Sequence, residues 1–348
     1  MSEAGENTVW SLVNELASKK GISEIVINGP KQVFVERNGQ FIQLNVQLSK
    51  RDMYGFINEI AAYNKKECNE QIPILDGNMP DGSRINCIIE PYASGSPSIS
   101  IRRYMKTIKS FDENPGVFDL TSEWVEFLKA AVSARMNIVV SGGTGVGKTT
   151  FMNLLLKELS PAERVVTIED TIELSLNIPN VVRLESKAQI GGATIGTRDL
   201  VKNTLRMRPD RIIIGEIRGG ELFDLLQAMN TGHDGSMTSV HANNPGECIQ
   251  RLETLFLLAG FEVPFHVVRR SISTAVDLII QVSRNREGKR VISQIQEITG
   301  MEGTTVLSQT IAAYEDDKLE FQGIVPKNMA KLNHMGGLPI DFFGKAKQ

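Results

Sequence analysis

The sequence predicts an α/β protein in two parts, and three observations lead to that reading. At 348 residues the chain exceeds what one small core requires. Beyond residue 119, short apolar runs alternate with helical patterns, the rhythm of a parallel sheet with helices on both faces. Residues 105–118, MKTIKSFDENPGVF, are polar and carry Pro115-Gly116, which marks a linker. The expected parts are a smaller α/β domain over 1–104 and a larger one over 119–348, the latter closing in hairpins and a tail.

The smaller part reads in order. Val9, Leu12, Val13 and Leu16 share one face of a helix within residues 7–20, and Gly21 ends it. Ile22 to Ile27 is a strand running into a turn at Asn28-Gly29-Pro30. KQVFVERNGQFIQL is a hairpin with Asn38-Gly39 as its two-residue turn. Ser49 is placed to cap a helix reaching about Tyr63. Loops at Asp76-Gly77 and Pro80-Asp81-Gly82 lead to a strand from Arg84 to Glu90. After a further loop, a last strand is expected from Ser98 to Tyr104.

Composition narrows the class. With 41% hydrophobic and 23% charged residues the chain is an ordinary globular protein. Net charge is −3 overall, +1 over residues 1–110 and −4 over the rest, which argues against a nucleic-acid coat. No apolar run approaches the ~20 residues that span a bilayer. The opening MSEAGENT lacks the pattern of a secretory signal peptide. Cys68, Cys87 and Cys248 are scattered and form no C-x-x-C pair, so free thiols in a reducing cytosol are expected, with no metal framework. Direct membrane insertion is not expected, and any membrane connection would run through a partner.

In the larger part Thr121 is placed to cap a helix with Trp124, Phe127, Leu128 and Ala131 inward. The chain then reaches SGGTGVGKTT, residues 141–150. Gly142, Gly147, Lys148 and Thr149 fit the phosphate-cradling pattern G-x-x-x-x-G-K-[ST]. The apolar run 137–140 before it reads as a strand, and FMNLLLKEL after it as a helix. Glycines at that junction let backbone approach a polyphosphate, and the helix start offers free N–H groups to the anion. Gly143, Thr144, Gly145, Val146, Gly147, Lys148, Thr149 and Thr150 are therefore expected to wrap the phosphates of ATP. Lys148 would reach the β- and γ-phosphates, and the Thr149 hydroxyl would hold Mg²⁺.

Three further stretches supply chemistry. In RVVTIEDTIEL a strand ends in Glu169, Asp170 and Glu173, where a carboxylate can orient or deprotonate water. In RPDRIIIGEIRGGE three isoleucines lead to Gly215-Glu216, and Glu216 can hold Mg²⁺ through water or pair with Arg218. In TGHDGSMTSVHANNP, His241 follows a strand and His233 precedes it; an imidazole beside a γ-phosphate can sense hydrolysis. Arginines complete the set. Arg198, Arg206, Arg208 and Arg211 crowd the segment before Glu216, and Arg84, Arg102 and Arg103 lie on or beside strands of the smaller part. A guanidinium can clamp a transferring phosphoryl group, which points to nucleotide bound between domains or between subunits.

Together the four stretches resemble the Walker A, aspartate-box, Walker B and histidine-box motifs of the bacterial type II/type IV secretion ATPase superfamily. The resemblance covers essentially the whole chain. TIEDTIEL, LRMRPDRIIIGEIRGGE and GHDGSMTSVHANNP look most like the CpaF branch, the motors of tight-adherence (Flp-type) pili. The four-cysteine zinc module of type II secretion and pilus-extension motors is missing, as is the retraction-motor signature at the C-terminus. The resemblance implies a RecA-like P-loop ATPase domain over 119–348. It makes Glu169 the catalytic base, Glu216 the Mg²⁺-water residue and His241 the γ-phosphate sensor. Arg102 and Arg103 would contact phosphates from the smaller domain, with Arg84 beside them. It also implies a homo-hexameric ring, cytoplasmic and peripheral at the inner membrane through a pilus or secretion platform. The rival within the superfamily is a type IV secretion motor. A nucleic-acid translocase would need a basic, aromatic-lined channel, which −4 beyond residue 110 and 6% aromatics disfavour. A non-hydrolysing scaffold has no reason to keep every carboxylate and Lys148.

Overall fold

The computed structural model describes residues 8–19, 21–37, 40–103, 110–186 and 195–345. Its contacts divide it into two units, Met1–Thr107 and Ile108–Gln348. Asn38-Gly39 and residues 105–109 of the expected linker lie outside the described residues.

The first unit opens with α1 (Val9–Ser18), whose start is fixed by the Thr8 side chain accepting the Ser11 N–H. Val9, Leu12, Val13 and Leu16 are its buried face, the 3.6-residue stripe read from the sequence. β1 (Ile22–Ile27), β2 (Val33–Arg37) and β3 (Gln40–Leu44) follow, then α2 (Lys50–Tyr63), capped by Ser49. β4 (Ile74–Asn78), β5 (Arg84–Ile88) and β6 (Ser98–Arg102) complete an antiparallel sheet in the order β3-β2-β1-β6-β5-β4. Ile25, Ile85, Ile99 and Ile101 point to the face that α1 and α2 cover, and their alternates face away. β4 departs from expectation. Asp76-Gly77 reads as a loop, yet Leu75 packs inward opposite Cys87, and the Asn64 side chain grips the backbone of Asn78 at both N–H and C=O. Tertiary pairing outweighs the weak local propensity there.

The second unit is built on one sheet. Its elements are α3 (Ser122–Ser133), β7 (Ile138–Ser141), α4 (Lys148–Leu156), β8 (Val165–Glu169), β9 (Val181–Glu185), α5 (Thr197–Thr204), β10 (Arg211–Ile214), α6 (Glu221–Asn230) and β11 (Met237–Val240). α7 (Pro245–Leu257), α8 (Phe265–Ala275), β12 (Leu278–Arg284), β13 (Arg290–Glu302), β14 (Thr305–Glu315), β15 (Lys318–Phe321), α9 (Met329–Gly336) and α10 (Phe342–Lys345) follow. The strand order is β15-β14-β13-β12-β7-β11-β10-β8-β9, parallel from β12 to β9 and antiparallel from β12 to β15. Strand alternation sorts two cores. Ile138 and Val140 of β7 face α3, α4 and α9, whereas Val139 faces α6, α7 and α8. No helix among the described residues is long and apolar enough to cross a membrane.

Two stretches differ from the sequence reading. Phe111 and Phe118, within the expected linker, are buried in the second unit's core. The tail from Lys327, for which the sequence offered no regular element, forms α9 and α10, and Leu332, Leu338 and Phe343 are buried against the α3 side of the sheet. Gly- and Lys-rich composition hid them because only a few widely spaced side chains make the contact.

Candidate nucleotide site

The phosphate loop leaves the fully buried β7 and enters α4 at Lys148. Gly147 sits at the helix N-cap with φ of 105°, a left-handed conformation that a side chain disfavours. The loop is stitched back to the sheet by the Gly142 N–H donating to Val240 O at 3.3 Å. The Lys148 ammonium, 8% exposed, donates to the carbonyls of Gly142 and Gly143 at 2.9 Å each. Thr149 and Thr150 follow in the first turn of α4, half-buried. Thr144 and Gly145 are exposed, with Val146 half-buried behind them.

Because β7, β11, β10 and β8 are parallel neighbours, the residues after their C-terminal ends come together although they lie far apart in the chain. Lys148, beyond β7, donates to His241 Nδ1 at 3.1 Å, just after β11. An ammonium can only donate, so Nδ1 is the acceptor and the ring proton sits on Nε2. That Nε2 lies 2.7 Å from Glu216 Oε1, just after β10. Burial first, and the Lys148 charge next, lower the His241 pKa below its ordinary value, which keeps the ring neutral at pH 7. The other Glu216 oxygen takes Arg218 Nη2 at 2.7 Å, and Arg218 Nη1 reaches Asp170, after β8, at 3.2 Å. The pairing of Glu216 with Arg218 and its contact with His241 coexist, one on each carboxylate oxygen.

Glu169 stands slightly apart at the end of β8, only 4% exposed. Its Oε1 accepts the N–H groups of Glu173 and Leu174 at 2.8 and 2.9 Å. Its Oε2 is buried with no hydrogen-bond partner among the described residues. Burial pushes its pKa up to about 7, against the pull of those two N–H groups and of Arg183. Gly215 makes room for it, since a Cβ there would lie 3.0 Å from Glu169 Cγ. A buried carboxyl poised near neutrality, with one oxygen unspent, is chemically suited to take a proton from water.

Other expected residues lie elsewhere. His233 precedes β11, so the strand's four residues, about 13 Å of backbone, separate it from the loop end of the sheet. Its Nδ1 faces Ala228 O at 3.2 Å, an anchor at the end of α6. The assignment of His233 to the nucleotide is therefore corrected to a structural one. Arg208 likewise precedes β10, exposed and at the end remote from the loop, so within this chain it cannot reach a phosphate held there. Arg211 is buried against Glu163, and Arg198 pairs with Asp224. Arg103 commits Nη1 and Nη2 to carbonyls at the end of α1 and the start of β1, donating to Leu16, Ala17, Lys19 and Ile22. That commitment corrects its assignment to phosphate. Arg84 and Arg102 are direct cross-strand partners in the first unit, with Glu24 on the far side of Arg102.

Arg218, which the sequence offered as a partner of Glu216, also links it to Asp170. Sequence reasoning missed two further arginines around the loop. Arg284, at the end of β12, donates to Gly145 O at 3.0 Å, and the Arg290 side chain lies against Gly147. Their only sequence signal was the charged stretch RNREGKR, because nothing local says that β12 pairs with β7.

A phosphate loop between strand and helix, with polar side chains aligned on the ends of neighbouring parallel strands, defines a RecA-like nucleotide-binding protein. The chain belongs to the type II/IV secretion system protein family, whose model matches residues 6–312. It is 33% identical over 300 residues to the conjugal transfer protein TrbB of Rhizobium radiobacter, covering 85% of this chain and 90% of that one. It is 30% identical over 321 residues to the type IV secretion system protein VirB11 of Bartonella quintana, covering 81% and 90%. In fold it is similar to the Legionella pneumophila ATPase DotB, with a TM-score of 0.58 at 22% identity, covering 87% of this chain and 84% of that one.

Proposed function

We propose that the chain is an ATPase that drives a type IV secretion or conjugal-transfer apparatus. The observation that carries the catalytic part is the hydrogen-bonded row Lys148–His241–Glu216–Arg218–Asp170 across the strand ends beside the phosphate loop. The loop binds the phosphates of ATP, and Lys148 exchanges its carbonyl partners for β- and γ-phosphate oxygens. Mg²⁺ suits Thr149 and Glu216, whose hydroxyl and carboxylate are hard oxygen donors, and it would neutralise charge on the phosphates. Glu169 turns its unspent oxygen to the attacking water, and the His241 Nε2–H stays hydrogen-bonded to Glu216 until a γ-phosphate draws Lys148 away. Arg84 and Arg102, like charges held directly opposite each other, are the first unit's donors to phosphate. A homo-hexamer at an inner-membrane platform completes the reading.

Between the two finer readings, the names of the matched relatives favour secretion and conjugation. The tight-adherence pilus reading rests on the motif likeness of TIEDTIEL and GHDGSMTSVHANNP alone. The test is ATP hydrolysis against protein concentration, with Lys148→Ala and Glu216→Ala as controls. A rate per chain that rises with concentration and vanishes in both variants is expected for sites completed within a ring. ATP bound at every concentration without turnover, even with the membrane platform added, would defeat the motor. Recovery of a pilus platform in place of secretion-channel components would return the finer reading to the pilus.

A further inference from the structure

The second unit holds a cavity of about 580 Å³ that includes Val276 and Asp277, just ahead of β12. That is the end of the sheet remote from the phosphate loop, since Leu278 pairs with the first residue of β7 and Gln281 with the last. Its volume is that of a site for a nucleotide-sized ligand.

Acids and bases are treated differently there. Asp277, in the wall, accepts the Asn137 N–H at 2.8 Å and Asn328 Nδ2 at 3.3 Å, and faces Lys331 at 3.6 Å. Glu297 beneath is fully buried and saturated by the N–H groups of Lys327 and Asn328 and by Gln309 Nε2. The cations are left open. Arg269 is spent on Glu253 and Thr304 O, yet Arg270 beside it and His266 one turn earlier have no side-chain partner among the described residues. Lys327 adds an ammonium held, among the described residues, by Thr299 O alone, and His266 sits in the first turn of α8, where the helix favours an anion. An arginine fork, an imidazole and an ammonium converging on one space match a tetrahedral, doubly charged group.

We propose that this cavity is a second anion site, binding a small phosphate ester through Arg270, His266 and Lys327. Phe265 and Val267, 46% and 36% exposed on either side of His266, give the ester two possible sources: a soluble molecule or a phospholipid headgroup. The proposal is independent of the ATPase reading.

The experiment titrates inorganic pyrophosphate calorimetrically into the full chain after the phosphate loop has been saturated with ADP. Wild type is expected to take up one equivalent. Arg270→Ala is expected to weaken it about tenfold to a hundredfold, as loss of a charge-assisted hydrogen bond does, with Arg270→Lys in between. His266→Gln serves if Arg270→Ala does not fold, as judged by its thermal transition. A parallel flotation with phosphatidylglycerol vesicles, against phosphatidylcholine, identifies a headgroup source if retention depends on Arg270. Pyrophosphate uptake alone identifies a soluble one. Equal behaviour of wild type and variants toward both probes would overturn the proposal.

Discussion

Replacing Glu169 by glutamine removes a titration that the fold itself has moved. The carboxyl is 4% exposed and its pKa is pushed from 4.5 up to about 7 by burial. Each unit corresponds to about 1.4 kcal/mol, so ionising it in the folded chain costs on the order of 3 kcal/mol more than in the unfolded one. The folded state holds the proton more tightly. Its contribution is therefore fully present below pH 4.5 and is lost as pH rises through about 7. Glutamine keeps an acceptor for the Glu173 and Leu174 N–H groups but cannot titrate. Urea unfolding of both proteins at pH 5 and pH 8 should show the wild type losing roughly 2–3 kcal/mol relative to Glu169→Gln over that interval. Hydrolysis should fail in the variant, and in wild type it should rise with pH through about 7, as the base becomes free to accept a proton. Parallel stability profiles for the two proteins would refute the assignment of the raised pKa. Full turnover by the variant would refute the base.

Three further outcomes follow from particular contacts. Gly215→Ala places a methyl 3.0 Å from Glu169 Cγ and should cut turnover at least tenfold while nucleotide affinity, read by fluorescent-nucleotide titration, stays within a few-fold. His241→Ala breaks the row between Lys148 and Glu216 and should lower turnover about a hundredfold or more; a rate near wild type would remove it from the site. Leu332→Ala, at a fully buried position of α9, should cost about 2–5 kcal/mol in denaturant unfolding, and no loss would mean the tail does not belong to the core.

What was legible in the sequence was local. The bounds of β1, the buried stripe of α3 and the turn from β7 into α4 were all written in spacing that a few neighbouring residues suffice to read. Glu216 and His241 were legible because each follows an apolar strand directly. His233 and Arg208 misled for the complementary reason: they are close to motifs in sequence but precede their strands, and strand direction sends them to the other end of the sheet. Arg284 and Arg290 stayed hidden because their neighbours are set by the strand order, which puts β12 beside β7. Arg103 showed its charge but not its occupation, since the carbonyls it caps come from the end of a helix more than eighty residues earlier.

The row of side chains beside the loop alternates in sign: ammonium, neutral ring, carboxylate, guanidinium, carboxylate. It crosses three strand spacings, about 14 Å, and sums to zero. Its two ends meet water very differently. Lys148 is 8% exposed, whereas the Arg218 and Asp170 side chains are 58% and 41% exposed. Dissolved ions therefore screen the outer charge pair strongly, whereas the inner contact, an ammonium donating to a neutral ring, has no charge pair to screen. Raising ionic strength would uncouple Asp170 from the row while leaving Lys148 and His241 intact, so the reach of a phosphate's influence along the sheet edge is set by the medium as well as by the chain.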